Sequence, residues 1–168
     1  MNYNLLGMID QAEGKGSDAL RHYTRALEIR REQNDRRGCV AILDNMANLH
    51  TTMGNLRAAA AACSETLQLA HEIAYPTGYE WGFGEAVLIL AETQPEATAR
   101  LFGAIDRLHT TFALTVWPGL ESDRAAAANR ARQTLGDPAY TAAFEQGREL
   151  TTDAAVAEAL AALATIAA

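Results

Sequence analysis

The segment Glu13-Gly14-Lys15-Gly16-Ser17 has the composition of a phosphate-binding loop and is the first candidate for chemistry. The Walker pattern needs a glycine, four residues, and then Gly-Lys followed by Ser or Thr, all after a strand. Here Lys15 is followed by Gly16, and Gly7 is misplaced for the first glycine of the pattern. We therefore interpret the segment as a turn between two helices and predict that it does not bind ATP.

The histidines and cysteines do not have metal-binding or catalytic spacings. Two histidines on one face of a helix bind zinc when they are four residues apart. His22, His50, His71 and His109 never have this spacing, and the chain has no pair of cysteines separated by two residues. The sequence also has no motif that marks a Ser, a His and an Asp as a catalytic triad. We predict a protein without catalytic residues, metal or cofactor.

The first half of the chain repeats with a period of forty residues. Leu6-Gly7, Gly14, Ala19, Tyr23 and Ala26-Leu27 recur as Met46-Ala47, Gly54, Ala59, Cys63 and Thr66-Leu67, and a weaker third copy contains Ala86-Val87, Gln94, Ala99 and Gly103. A fixed period of this size indicates stacked helical hairpins. The register places Ala59 at a close helix crossing, whereas one or both of Ala61 and Ala62 should face solvent.

Start and stop signals divide the chain into nine helices, and no segment alternates convincingly enough to be a strand. Asn34-Asp35 should end the second helix and cap the third, and Pro76 should break the chain. Asp137 should cap the eighth helix with Pro138 at its first position, and Gly147 should weaken that helix near its end. The first predicted helix ends at about 12, the second starts at 16 or 17, and the next five cover about 36–53, 56–74, 79–93, 95–112 and 120–135. The last helix follows Thr151, and a loop is predicted over 115–119.

Composition excludes several classes of partner. The 168 residues are 49% apolar, which is enough for a core, and carry a net charge of −7. This charge opposes direct binding to nucleic acid and to anionic membranes. No apolar run approaches the roughly 20 residues of a membrane-spanning helix, and the N-terminus lacks the basic region of a signal peptide. We expect a cytoplasmic protein in which Cys39 and Cys63 are reduced, buried and too far apart to form a disulfide.

The spacing of Leu6-Gly7, Gly14, Ala19, Tyr23 and Ala26 resembles the tetratricopeptide repeat. The C-terminal segments 95–104, 135–140 and 145–151 resemble the end of the tetratricopeptide region in multidomain ATPase transcriptional regulators of actinobacteria and their relatives. Gln94 departs from the usual glycine, and Asp10 departs from the usual bulky residue. The resemblance implies an α-solenoid of about three hairpins over 1–114 with a three-helix C-terminal cap over 115–168, both in one domain.

The same resemblance implies a binding function, either protein interaction or effector sensing, in which separate P-loop and DNA-binding domains would do the switching. Two alternatives remain: a stand-alone scaffold that forms a homodimer, and a small-molecule receptor. Tetratricopeptide arrays bind along a concave groove lined by the first helix of each pair. In this register the groove positions are Asn4, Met8, Gln11, Asp44, Asn48, Thr51, Trp81, Leu88 and Glu92.

The predicted groove favours a peptide backbone as its ligand, because Asn, Gln and Thr donate and accept hydrogen bonds. It lacks Lys and Arg, so it does not resemble a clamp for a C-terminal carboxylate. Trp81 is either an anchor for a partner or a core residue at a helix start weakened by glycines. Trp117-Pro118 is expected to plug the end of the array.

The remaining features concern charged faces and the first helix. The arginine pairs at 30–31 and 36–37 are expected to be solvated and paired with Glu28, Glu32 and Asp35, with a small anion site as the alternative. We expect Arg124, Arg130 and Arg132 to be solvated in the same way.

The chain begins inside its first helix, so either residues precede it or this helix packs against something. Tyr3, Leu5, Leu6, Met8 and Ile9 therefore predict self-association through residues 1–27.

Overall fold

The fold is all-α and was obtained as a computed structural model that describes residues 2–114 and 121–167. These residues form nine helices and contain no strand. The expected loop and the Trp117-Pro118 plug lie outside the described residues. The helices are α1 Tyr3–Ala12, α2 Gly16–Glu32, α3 Arg36–Thr52, α4 Leu56–Glu72, α5 Pro76–Leu90, α6 Pro95–Phe112, α7 Glu121–Leu135, α8 Asp137–Glu149 and α9 Thr152–Ala167.

The forty-residue period is visible in the backbone of the turns. Gly14 and Gly54 have φ of 75° and 73°, a left-handed conformation that glycine adopts without steric cost. Asn34 and Ala74 have φ of 55° and 47° at the turns that follow the second helix of each pair. At the third copy Gln94 has φ of −137°, so glycine is not required there. The missing glycine therefore reflects a different turn, not a strained one.

The fifth helix begins earlier than its sequence predicts. The break before Pro76 is confirmed, because α4 ends at Glu72, but the predicted bounds 79–93 are wrong, because α5 runs from Pro76 to Leu90. Pro76 occupies the first turn, where proline is favoured because its missing N–H has no intrahelical partner. In α8 the N-cap is Gly136, so the prediction that Asp137 caps the helix is wrong by one residue, and Pro138 lies in the first turn directly after Asp137.

Each hairpin is held by a close crossing between small residues. Ala19 and Ala59 are fully buried, as the repeat register predicts. A Cβ atom on Gly7 would lie 2.6 Å from the Tyr23 ring, so α1 and α2 can approach this closely only with glycine there. Ala47 completes the corresponding crossing between α3 and α4 and is also fully buried.

The C-terminal helices pack onto the repeat array. Helix α8 lies along α6, where a Cβ atom on Gly103 would be 2.0 Å from the Phe144 carbonyl oxygen. Helix α9 returns to α4, and its buried face joins the main core through Val156, Ala159 and Leu163. Gln94 ties the α5–α6 turn to α9, since its amide donates a hydrogen bond of 2.9 Å to the Ala162 carbonyl oxygen.

Candidate functional site

The concave side of the array contains a cavity of about 340 Å³ between α1, α3, α5 and α7. Five predicted groove residues line it, one from α1, two from α3 and two from α5. They are Met8, Asp44, Asn48, Trp81 and Leu88. The stacking of successive hairpins thus brings together side chains that are up to eighty positions apart in the sequence.

Three other predicted groove residues, Asn4, Gln11 and Thr51, lie beside the cavity and make hydrogen bonds to neighbouring helices. The Gln11 amide donates to Asn48 Oδ1 at 2.8 Å and accepts from the Tyr23 hydroxyl at 2.8 Å. Asn4 Oδ1 accepts from the Asn45 amide at 3.1 Å. The Thr51 hydroxyl donates to the Glu85 carboxylate. Polar side chains of α1 and α3 therefore position the lining residues and link consecutive repeats.

Two carboxyl groups line the cavity, Asp44 on α3 and Glu85 on α5. Glu85 is only 5% exposed and accepts hydrogen bonds from Thr51 and from the Asn48 amide, the latter at 3.4 Å. Burial raises the pKa of the Glu85 carboxyl, and these two hydrogen bonds oppose the rise. Burial raises the pKa of Asp44 further, to about 8, and the nearby carboxylates of Glu85 and Glu80 add to the effect.

Arg124 of α7 lines the cavity and pairs with Glu80 of α5. Its guanidinium donates to Glu80 Oε1 at 2.5 Å, and its side chain is 9% exposed. The expectation that Arg124 is solvated is therefore wrong. A Cβ atom on Gly84 would lie 1.7 Å from Arg124 Nη2, so the guanidinium reaches Glu80 through space that only glycine leaves open. Arg124 Nε has no hydrogen-bond partner among the described residues.

Trp81 takes part in both the core and the cavity. Its indole meets the Tyr75 ring edge-on with the ring centres 5.9 Å apart, and it packs against the main core. The side chain stays partly exposed where it lines the cavity. The structure confirms that Trp81 packs against the core, and its role as a partner anchor stays a prediction.

Five lining residues were not predicted from the sequence: Ala41, Asn45, Gly84, Glu85 and Arg124. Glu85 had a usable signal, because it lies four residues after Trp81 and three before Leu88 on one helix face. Arg124 had none, since it reaches the cavity from α7, outside the repeats. Glu92 lies beyond the end of α5 and pairs with Arg130 at 3.2 Å instead of lining the groove.

The arginine pairs between the repeats have mixed partners. Arg30 pairs with Asp35 at 2.9 Å, as expected. Arg31 pairs with Glu65, and Arg36 pairs with Glu72 at 2.9 Å, so the prediction that these two pair with neighbours in sequence is wrong. Arg31 of α2 reaches α4 of the next hairpin because the hairpins stack side by side, whereas Arg36 and Glu72 meet because α3 and α4 run antiparallel within one hairpin. These contacts are exposed, and exposed ion pairs contribute little stability.

The two cysteines and Asp10 were also singled out in the sequence. Cys39 and Cys63 are buried free thiols, and burial raises the pKa of both. Asp10, the second departure from the repeat pattern, lies 2.6 Å from His22 Nδ1 and links α1 to α2.

Within the described ranges, no group of three His, Cys, Asp or Glu side chains is placed to hold a metal ion. Among the described helices none is long and apolar enough to cross a membrane.

The comparison with protein families gives one result, which covers the first two hairpins. Residues 1–72 match the model of the tetratricopeptide repeat. Comparison with curated proteins and with solved structures gives no significant match. Repeats of this kind are typically non-catalytic and bind other proteins on extended concave surfaces. Residues 1–72, which supply Met8, Asp44 and Asn48 to the cavity, are therefore a tetratricopeptide repeat region in an all-α helical repeat solenoid.

Proposed function

We propose that this chain is the partner-binding module of a bacterial transcriptional regulator and that the concave cavity is where a protein or peptide docks. One observation carries the proposal: α1, α3 and α5 converge on a single cavity. That cavity combines an apolar wall of Met8, Trp81 and Leu88 with the polar groups of Asp44 and Asn48. Apolar walls with a few convergent polar groups are the usual form of a binding site.

A selection of random peptides displayed on phage tests the docking site. Met8→Arg places a long cationic side chain at the mouth of the cavity, and selected peptides should bind this variant at least tenfold more weakly. Met53→Arg is the matched control, because Met53 is 53% exposed, Met8 is 48% exposed, and Met53 lies at the α3–α4 turn away from the cavity. Equal losses in the two variants, or no selected peptide, would contradict the proposal.

The proposal that the chain belongs to a transcriptional regulator rests on the resemblance of the C-terminal segments, and it predicts that different domains of that regulator have different functions. Phosphate binding and DNA binding would belong to other domains of the parent protein, encoded in frame with this one. The chain itself, with a net charge of −7, should bind neither Mg-ATP nor duplex DNA. Calorimetry with Mg-ATP and a gel-shift titration over a range of salt concentrations test this. Micromolar binding of either ligand would refute it.

A second candidate function is self-association through α1, and the exposed side of that helix favours it. Leu5, Met8 and Ile9 are 51%, 48% and 45% exposed. Contiguous exposed apolar side chains are typical of interfaces. Light scattering at high protein concentration should then show a dimer that Leu5→Glu dissociates and Met53→Glu leaves intact. A monomeric mass at every concentration would contradict this function and leave the docking proposal unaffected.

A further inference from the structure

We propose that the cavity receives a basic side chain, lysine or arginine, of the partner polypeptide, which pairs with Asp44 and Glu85 and packs its alkyl stem against Trp81 and Leu88. The inference rests on the proposed docking function and specifies the chemistry that the partner must bring. It follows from how the charges in the cavity are partnered.

The charges around the cavity do not balance. Glu80 is matched by Arg124, whose guanidinium lies 2.5 Å from it. Among the residues that the structure describes, this pair leaves Asp44 and Glu85 as two acidic groups without a cation of their own. Glu85 is partly satisfied by Thr51 and Asn48. A buried carboxylate is costly unless a cation or hydrogen-bond donors accompany it, so the cavity has room and charge for one more positive group.

Asp44 is the group that most needs a partner. It is partly exposed at the cavity wall, and the influences on its carboxyl among the described residues are burial and charge, without a hydrogen bond. The titratable groups that face it are Glu80 and Glu85 of α5, Arg124 of α7 and Cys63 of α4. Of these only Arg124 is positive, and Arg124 is already paired with Glu80.

The shape of the cavity suits a side chain better than a whole small-molecule ligand. Its volume of about 340 Å³ is near the lower end of the range of roughly 300–1,000 Å³ for ligand pockets. The half-exposed Met8 stands at its mouth, where the main chain of a partner can continue along the groove. Long basic side chains bury their methylene stems on apolar walls while the charged end finds an anion. An indole also attracts a cation placed over its face.

Occupation by a cation has a measurable consequence in protons. With a pKa of about 8, the Asp44 carboxyl holds its proton in about nine molecules of ten at pH 7. An incoming ammonium or guanidinium stabilises the ionised form, so binding at pH 7 should release close to one proton. Affinity should be about tenfold higher at pH 9 than at pH 7, because the free protein is then already ionised.

The test uses three acetylated, amidated pentapeptides with lysine, arginine or norleucine between flanking alanines. Norleucine matches the lysine stem without its charge. In a Trp117→Phe chain Trp81 is the sole tryptophan, so its fluorescence reports occupancy of the cavity. Calorimetry in two buffers of different ionisation enthalpy counts protons. At least one basic peptide should bind ten times more tightly than the norleucine peptide, change the Trp81 emission and release a proton.

Two substitutions locate the effect. Asp44→Asn keeps the shape of the side chain and should abolish both the proton release and the advantage of the basic peptide. Asp18→Asn removes a carboxylate from the exposed side of α2 and should change neither. Circular dichroism and the melting temperature confirm that each variant is folded.

Three outcomes would overturn the inference: equal binding of the basic and norleucine peptides, no binding of any basic peptide at 10 mM, and unchanged binding in Asp44→Asn. Butylammonium that binds as tightly as the lysine peptide would also overturn it, in favour of a free ammonium ligand. The phage selection decides the docking proposal separately, because Met8→Arg can abolish binding of selected peptides whether or not they carry a basic side chain.

Discussion

The Asp44→Asn variant should be more stable than the natural chain at neutral pH, although it removes an acidic group from the proposed binding site. The reason is the position of Asp44 at the wall of the cavity, where burial and two neighbouring carboxylates oppose its ionisation. Asparagine fills nearly the same volume and never ionises. The natural chain must take up a proton at Asp44 when it folds at neutral pH, and the substitution removes this free-energy cost while it keeps the shape of the cavity.

The size of the effect follows from the two pKa values. An aspartate in the unfolded chain has a pKa of about 3.9, whereas the folded value is about 8. Between these values the folded protein holds a proton that the unfolded chain has lost, so the free energy of unfolding falls as pH rises. The stability that comes from the protonated carboxyl is fully present below about pH 4 and is lost by about pH 8. The fall is about 1.4 kcal/mol per pH unit, or roughly 2.7 kcal/mol from pH 5 to pH 7.

Urea unfolding at pH 5, 6 and 7 measures this effect as a difference between the variant and the natural chain. Groups that titrate alike in both proteins cancel, so the free-energy advantage of Asp44→Asn should grow by about 1.4 kcal/mol per pH unit. Asp18→Asn is the control. The Arg21 guanidinium lowers the pKa of Asp18, so Asp18 is ionised in both folded and unfolded chains over this range, and its difference should stay constant.

A constant difference for Asp44→Asn would refute the reasoning. It would mean that Asp44 is ionised in the folded protein and that water or another donor compensates its charge. The expected proton release on binding of a basic peptide would then also be wrong. The stability measurement therefore tests one premise of the cation site without any ligand.

Three substitutions test the packing, each by urea unfolding. Ala59→Leu should lower the free energy of unfolding by about 1–3 kcal/mol, because it overfills a fully buried helix crossing. Its control, Ala61→Leu on the exposed side of the same helix, should change the free energy by less than about 0.5 kcal/mol, and equal losses would show that the repeat register is wrong. Gly84→Ala should cost about 3 kcal/mol, because its Cβ atom would displace Arg124 and leave a buried carboxylate unpaired; an unchanged midpoint would mean that the guanidinium can move aside. Gly147→Ala should destabilise the protein by about 2 kcal/mol, since its Cβ atom would lie 1.8 Å from a backbone oxygen of α6. Helix propensity alone predicts that this substitution stabilises the protein by about 1 kcal/mol, so a measured gain in stability would contradict the close contact.

The repeat and its turns could be predicted from the sequence because they depend on local physics. Gly14 and Gly54 are separated by one period, and both adopt the positive φ that a residue with a side chain resists. Asp35 caps α3 by accepting the Gly38 amide at 2.9 Å, which its position after Asn34 indicates. The small residues at the helix crossings follow from the same register.

The burial of the alanines on α4 could be predicted only in part from the repeat register. The register allows Ala61 and Ala62 both to face solvent, but only Ala61 is exposed. Ala60 and Ala62 are buried in the core that includes α9. Nothing in the repeat predicts this, because α9 lies some ninety residues further along the chain. Gly147 is similar: it resembles a weak point of α8 in the sequence, but it permits close contact with α6.

The sequence by itself determined the helices, their pairing into hairpins and the concave face on which Asp44 and Trp81 lie, because hydrophobic period, caps and turns act over a few residues. Tertiary structure alone decided the chemistry of the cavity. Arg124 meets Glu80 across 44 positions, and this pairing neutralises one carboxylate while it leaves Asp44 without a cation. Electrostatic free energies depend on burial and on distances of a few ångströms between elements, and neither is encoded in the spacing of residues along one helix.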